Sequence, residues 1–388
     1  MNNITSVGSN CCGCGNCYLK CPKKAIKFET NKEGFKYPII DEKKCIGCGL
    51  CQKVCPILAN KTVSTENFPK SFAVKNKNIE LLKNSSSGGF FSGVALNVLK
   101  SNGVVYGSSY DENLNVKHIR INKISELNKI QGSKYVQSDL ENIFLSVKND
   151  LNNEKQVLFS GTPCQVSALK IFLNKEYDNL LTCDLVCHGV PSQKIFSKYI
   201  EYLEKKYKSK VLSYDFRNKE KKGWGLTAKV IFSNGKIKYI NSDFDPYYEN
   251  FLNCNIYRES CYNCKFANKY RISDFTMADY WGVLSVHNDF YDENGVSLIL
   301  VNNQKAYDWL MKNQKLFDIL DTDFNLAVKK NQNVIKPSSR PLIRNVIYNE
   351  IDSSNYVKKN LKVKFKLKKF LKIMFPNKLK KVIKKFLK

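Results

Sequence analysis

Fifteen cysteines in 388 residues are the side chains most able to do chemistry, and their spacing decides which chemistry. Cys11, Cys14, Cys17 and Cys21-Pro22 follow C-x2-C-x2-C-x3-C-P, and Cys45, Cys48, Cys51 and Cys55-Pro56 repeat the pattern. In such a run three thiolates wrap one four-iron cube while the fourth cysteine crosses to its neighbour. The spacing therefore assigns Cys11, Cys14, Cys17 and Cys55 to one 4Fe-4S cluster, and Cys45, Cys48, Cys51 and Cys21 to a second. Gly13, Gly15, Gly47 and Gly49 allow the tight backbone that turns amide hydrogens toward cluster sulfides. Four-cysteine zinc sites instead show two separated pairs. Cys12 stands out of register and reads as a bystander. The chemistry of this segment is electron conduction.

Six more cysteines lie between 164 and 264. Gln156-Val-Leu-Phe-Ser-Gly-Thr-Pro-Cys-Gln reads as a strand, a tight turn and a helix, with Thr162 as N-cap and Pro163 in the first helical position. Cys164 would then sit in the first helical turn, where the helix dipole favours a thiolate. Cys183-Asp-Leu-Val-Cys187-His188 is a strand running into a loop, one residue too long for a haem-attachment C-x-x-C-H. Cys254, Cys261 and Cys264 gather around Arg258. A third metal centre would draw on Cys164, Cys187, Cys261 and Cys264, with Cys183 and Cys254 in reserve. Buried structural thiols or a zinc site are the alternatives, and no nearby base supports Cys164 as a nucleophile.

Asn84-Ser-Ser-Ser-Gly-Gly-Phe-Phe-Ser-Gly is a Ser/Gly loop leading into a helix over about 90–100, and Gln131-Gly-Ser-Lys-Tyr is a polar turn carrying a cation. Such segments offer free amides and a positive helix end to a phosphate, although most simply cap helices. Neither G-x-G-x-x-G nor G-x-x-x-x-G-K-[ST] is present. Of the three histidines, His118 falls on a strand over Val116–Ile121 and reads as a surface residue. His188 beside Cys187 is the candidate proton donor, against a plain loop histidine; no catalytic set is otherwise identified.

The elements that must position these groups read as mixed α/β from about 68 to 330. Apolar runs at Gln156–Ser160, Leu180–Leu185 and Val296–Val301 alternate with helical patterns at 164–173, 192–205 and 303–311. Asn234-Gly235 joins two alternating strands in a hairpin over Lys229–Ile240. The fold class expected is α+β: a small dicluster ferredoxin-like domain (1–60) fused to a larger mixed α/β region (68–150 and 151–335), with a basic tail (353–388).

The N-terminal run resembles bacterial-type dicluster ferredoxins. Ser87-Gly88-Gly89, Gly132-Ser133-Lys134-Tyr135, Ser160-Gly161-Thr162-Pro163-Cys164-Gln165, Cys183-Asp184-Leu185-Val186-Cys187-His188-Gly189, Arg258-x-x-Cys261-x-x-Cys264 and Arg271-x-x-Asp274-x-x-x-x-Asp279-Tyr280-Trp281-Gly282 follow in an order that resembles the coenzyme F420 hydrogenase/dehydrogenase beta-subunit family over roughly 1–330. That resemblance implies a flavin, FAD, and a 4Fe-4S cluster in the main region. It places the flavin or its phosphates at Ser87, Gly88, Gly89, Gly132, Ser133, Lys134 and Tyr135, with Gly161, Thr162 and Gln165 near both cofactors. It further implies an oxidoreductase exchanging electrons between a redox partner protein and a small-molecule hydride acceptor or donor, with coenzyme F420 as archetype. A reductase of another metabolite, or an electron-transfer subunit with no substrate of its own, is the alternative.

The chain carries a formal net charge of +28, with 57 Lys and only six Arg. Residues 353–388 hold fourteen Lys and no acid, with Leu367, Phe370, Leu371 and Met374, then Leu379, Val382, Ile383, Phe386 and Leu387, at helical spacing. A Lys-rich amphipathic helix suits an anionic membrane surface; a solvated or partner-bound helix is the alternative. Nucleic-acid binding is not expected, because no recognition module appears. No apolar run reaches the ~18 residues of a spanning helix, and the first residues lack a signal peptide. The expected location is cytoplasmic, with peripheral contact at the inner membrane face through the tail.

Overall fold

The computed structural model describes residues 3–59 and 68–363; the amphipathic stretches expected over 367–387 lie outside the described residues. Strands β1 (Ile26–Thr30) and β2 (Lys36–Ile40) pair antiparallel between the two cysteine runs. Each run leads into a one-turn helix, Asn16–Leu19 or Leu50–Lys53. Each helix is entered through a left-handed glycine, Gly15 at φ +84° and Gly49 at +69°. Glycine populates this region without a Cβ clash, so the repeat in sequence is also a repeat in backbone geometry.

The main sheet is built from β3 (Lys70–Asn76), β4 (Val104–Tyr110), β5 (Val116–Ile121), β6 (Val157–Ser160) and β7 (Leu180–Leu185). A separate three-stranded antiparallel sheet follows, formed by β8 (Val211–Asp215), β9 (Thr227–Phe232) and β10 (Ile237–Asn241). The main sheet is completed by β11 (Phe275–Asp279), β12 (Ser297–Val301) and β13 (Phe317–Asp321). Its order is β13-β3-β12-β11-β7-β6-β4-β5, so it draws strands from 68–150 and from 151–335 alike. The four central strands β11, β7, β6 and β4 run parallel. Successive side chains of a strand point to opposite faces, and here both faces are covered. Val105 and Leu158 pack with Phe90 and Val94 of the helix Phe90–Lys100. Tyr106, Val157 and Phe159 pack on the other side with Phe144, Leu169 and Phe172. The continuous apolar text of β7 and β12 follows from this double covering.

The expected hairpin is present as β9 and β10, turning through Gly235 at φ +79°. Its small sheet closes on an aromatic core with Phe196, Tyr199, Tyr247 and Phe251. Asp245 N-caps the helix Pro246–Leu252 and accepts the hydroxyls of Tyr199 and Tyr214, so this core is tied by a buried carboxylate. Tyr356, Val357 and Leu361 are buried in the same core. Residues 353–361 therefore belong to the packed body, and the expected boundary of a separate tail at 353 moves toward the C-terminus.

Candidate cofactor cavity and iron–sulfur sites

A cavity of about 570 Å³ opens at the carboxyl ends of the parallel strands. Ser108 of β4, Ser160 of β6, Leu185 of β7 and Asp279 of β11 all reach it. Crevices beyond the carboxyl ends of parallel strands are where α/β sheets bind ligands, and the volume suits a cofactor-sized molecule.

The Ser/Gly loop forms one wall, and its shape is set by close packing. A Cβ on Gly88 would lie 2.3 Å from the carbonyl oxygen of Val74 and 2.5 Å from the nitrogen of Ser297. Gly89, at φ +76°, turns the chain into the helix Phe90–Lys100. Two cations that sequence reasoning did not single out hold this loop by its carbonyls. Arg217 donates to Ser86 O at 3.0 Å, and Lys219 donates to Leu82 O and Ser87 O at 2.7 Å each. The second wall is the 131–135 turn, where Ser133 N donates to Ser86 Oγ at 2.8 Å. Lys134 crosses beneath it and donates to the carbonyl of Gln131 at 2.7 Å. Burial lowers Lys134 to about 7 against a weaker opposing pull from Asp215, and burial beside Arg217 lowers Lys219 to about 7.

Arg217 is itself neutralised. It makes a two-point pair with Asp279 at 2.6 and 2.8 Å and reaches the Tyr135 hydroxyl at 3.2 Å. Trp224 Nε1 donates to the same carboxylate at 2.7 Å and stacks on Trp281, with ring centroids 5.1 Å apart. One signal for Arg217 is present in the composition. In a chain of 57 Lys, each of the six Arg is found in an ion pair or a buried carbonyl fork.

Thr162 caps the helix Pro163–Leu173 as expected, with Gln165 completing a capping box. His118 corrects the sequence reading. It is buried, its Nε2 bonds Ser160 O at 2.9 Å, and its Nδ1 accepts from Ser138 at 2.9 Å. The edge of β5 is covered because His118 N donates to Asp139 O and Asp139 N to Val116 O. Burial lowers the imidazole to about 4, so it is neutral and serves to hold the 160–162 turn.

Cys164, Cys187, Cys261 and Cys264 all line this cavity, whereas Cys183 and Cys254 do not. Cys183 lies in the apolar core and Cys254 packs against the aromatic one. The helix end is not the largest influence on the Cys164 thiol. Hydrogen bonding to Cys12, then burial, raise that thiol well above its ordinary value. Cys12, out of register in sequence, lines the same cavity as Cys164, and burial contributes to raising its thiol above the ordinary value. His188 also lines the cavity, stacked at 6.1 Å on Phe251, and burial lowers its pKa.

The N-terminal cysteines lie close together, with Cys21 and Cys51 packed against the apolar cluster that holds Cys11, Cys17 and Cys55. Cys21, Cys45, Cys48 and Cys51 line one shallow hollow. Cys11, Cys17 and Cys55 share a buried apolar cluster, and Cys14 packs into the layer beneath the main sheet. Among the described residues no three His, Cys, Asp or Glu side chains converge tightly enough for a single metal ion. Arg258, almost fully buried, binds the two halves together through Cys11 O, Lys36 O and Gln137 Oε1.

Residues 10–59 and 37–89 match two models of a 4Fe-4S dicluster domain. Residues 154–320 match the model for the C-terminal part of the coenzyme F420 hydrogenase/dehydrogenase beta subunit. The chain thus carries, in order, a segment similar to a 4Fe-4S dicluster domain and a segment similar to the C-terminal part of that beta subunit. No curated protein matches it. A chain from the structure of the xenon-derivatised F420-reducing NiFe hydrogenase complex of Methanosarcina barkeri is similar at 13% identity and a TM-score of 0.47, covering 77% of this chain and 93% of that one.

The segment 154–320 supplies Arg217, Lys219, Asp279 and the four cavity thiols. The Ser/Gly loop and the 131–135 turn come from residues that precede it. Among the described residues no helix is long and apolar enough to cross a membrane.

Proposed function

We propose that the chain is an iron–sulfur flavoprotein oxidoreductase that passes electrons between its 4Fe-4S centres and a small-molecule hydride acceptor or donor. The observation that carries this reading is that Cys12, from the ferredoxin-like run, lines the same cavity as Cys164, Cys187, Cys261 and Cys264. Cys164, Cys187, Cys261 and Cys264 hold a third 4Fe-4S cluster. Cys11, Cys14, Cys17 and Cys55 hold the inner N-terminal cluster, and Cys21, Cys45, Cys48 and Cys51 the outer one.

The cavity fits an anionic flavin such as FAD. Ser85, Ser86, Ser87, Gly89, Gly132 and Ser133 line it, and Lys134, which also lines it, makes no ion pair among the described residues. A bound flavin supplies the exchange between a two-electron hydride and single electrons. The chain's own part is to bind and orient. Arg217 and Lys219 pull the loop carbonyls away from the cavity, leaving its amides available to phosphate oxygens. His118 fixes the turn before Cys164. His188, neutral beside Cys187, is the group that can accept or return a proton there. Coenzyme F420 is the proposed hydride partner, and another planar metabolite is the second candidate.

Anaerobic purification with cofactor analysis tests the reading: about twelve irons and one flavin per chain are expected. F420, NAD(P)H and reduced ferredoxin are then offered as electron sources. A protein with iron but no bindable flavin would leave only an electron-transfer role.

A further inference from the structure

The fifteen cysteines form a gradient of accessibility. Cys11, Cys14, Cys17 and Cys55 are buried, the cavity thiols are half-buried, and Cys48 alone is exposed. Beside it Ile46 presents an apolar side chain that is 61% exposed. A protein that exchanges single electrons with the chain meets its most exposed thiol at the 45–51 loop, and tunnelling requires near contact.

Lysines predominate in the segment that carries this loop, with Asp41 and Glu42 the acids beside it in sequence. Residues 1–59 hold nine Lys against four acids. Lys23 lines the outer hollow, and Lys43 and Lys53 flank the loop in sequence. All three are exposed, and none makes an ion pair among the described residues, whereas nearby Lys44 is paired with Asp41 at 3.2 Å. An exposed apolar centre inside a rim of unpaired like charges is the arrangement that steers an oppositely charged partner and then desolvates one contact point.

We propose that the 45–51 loop is the docking surface for an acidic one-electron carrier protein, received by Lys23, Lys43 and Lys53 around Ile46. The proposal rests on the reading above that the dicluster segment conducts electrons. The step is a single electron passing from the reduced carrier to the outer cluster, with no bond made or broken.

The test is stopped-flow reduction of the anaerobic full-length protein by a reduced acidic bacterial ferredoxin, followed by cluster bleaching. The second-order rate should fall about tenfold between low salt and about 0.3 M salt, the range over which surface charges become screened. The triple variant Lys23→Glu, Lys43→Glu, Lys53→Glu should lose about tenfold at low salt, with iron content unchanged. Reduction by dithionite should be equally fast in both proteins. A control triple, Lys205→Glu, Lys206→Glu, Lys208→Glu, on and beside a helix of the aromatic domain, should behave as wild type. A rate indifferent to salt and to the first triple, or equal losses in both triples, would overturn the docking surface. Clusters that bleach normally in a protein devoid of flavin would count against the proposed function alone.

Discussion

Arg258 donates its Nε hydrogen to the carbonyl oxygen of Cys11 at 2.6 Å, joining the cavity domain to the first cysteine of the dicluster run. Its two other nitrogens reach Gln137 and Lys36, so one guanidinium satisfies acceptors from three segments. Arg258→Met keeps most of the volume and leaves those acceptors unpaired in a buried place. Chemical denaturation should show a loss of about 3 kcal/mol. Arg258→Lys should recover only part of it, because an ammonium cannot span the fork. An unchanged midpoint would mean that the two halves are held by apolar packing alone.

The proposed ligand set divides the cysteines of the main region into two kinds. Cys261→Ser should remove about four irons and leave the two N-terminal clusters visible by electron paramagnetic resonance. Cys183→Ser and Cys254→Ser should keep all three. Cys12→Ala is the informative third case: iron content should hold while electron passage from the dicluster segment to the flavin slows. Loss of iron in that variant would make Cys12 a ligand.

Gly88 has no room for a methyl group, because the atoms it would meet are backbone. Gly88→Ala should push the Ser/Gly loop off β3 and β12, costing about 2 kcal/mol or more as overpacking and abolishing flavin binding. Iron in the N-terminal clusters should be retained. By contrast a Cβ on Gly132 meets only Asp215 Oδ1 at 3.9 Å, and Gly132→Ala is opposed by its φ of +77° alone. Flavin fluorescence quenching would rank the two.

Lys134 and Lys219 each titrate near 7 in the folded chain against 10.5 when free. Between those values the unfolded chain binds more protons, so the stability of the flavin-free protein should rise with pH from about 7 toward 10.5. An anion in the cavity favours the protonated lysines. Through Lys134, which lines the cavity, its affinity should therefore fall over the same window, by up to about tenfold per pH unit. Lys134→Met should flatten that slope; a wild-type affinity independent of pH between about 6.5 and about 9 would exclude Lys134 from phosphate binding.

What is legible in the sequence is local. The ligand runs, the Thr162 cap and the 180–185 strand each depend on neighbours within a few residues, and each is present. Arg217 is not legible because its partners, Asp279, Tyr135 and Ser86, lie far along the chain and meet only when the sheet closes. His118 sits on the expected strand with the opposite exposure, since the segment that covers it, 136–140, carries no strand pattern of its own. Cys164 shows a third limit: the helix end is plain in the sequence, but neither the burial of the thiol nor its contact with Cys12 can be seen from local text.

The exposure of Cys48, against the burial of Cys11, Cys14, Cys17 and Cys55, gives the protein a direction of damage. Oxygen dissolved in water would meet the outermost iron first, so air should disconnect the chain from its partner before it harms the cavity. Such a protein would go silent in an oxidising spell while its interior stayed intact, and replacing a single cluster would be enough to restore it.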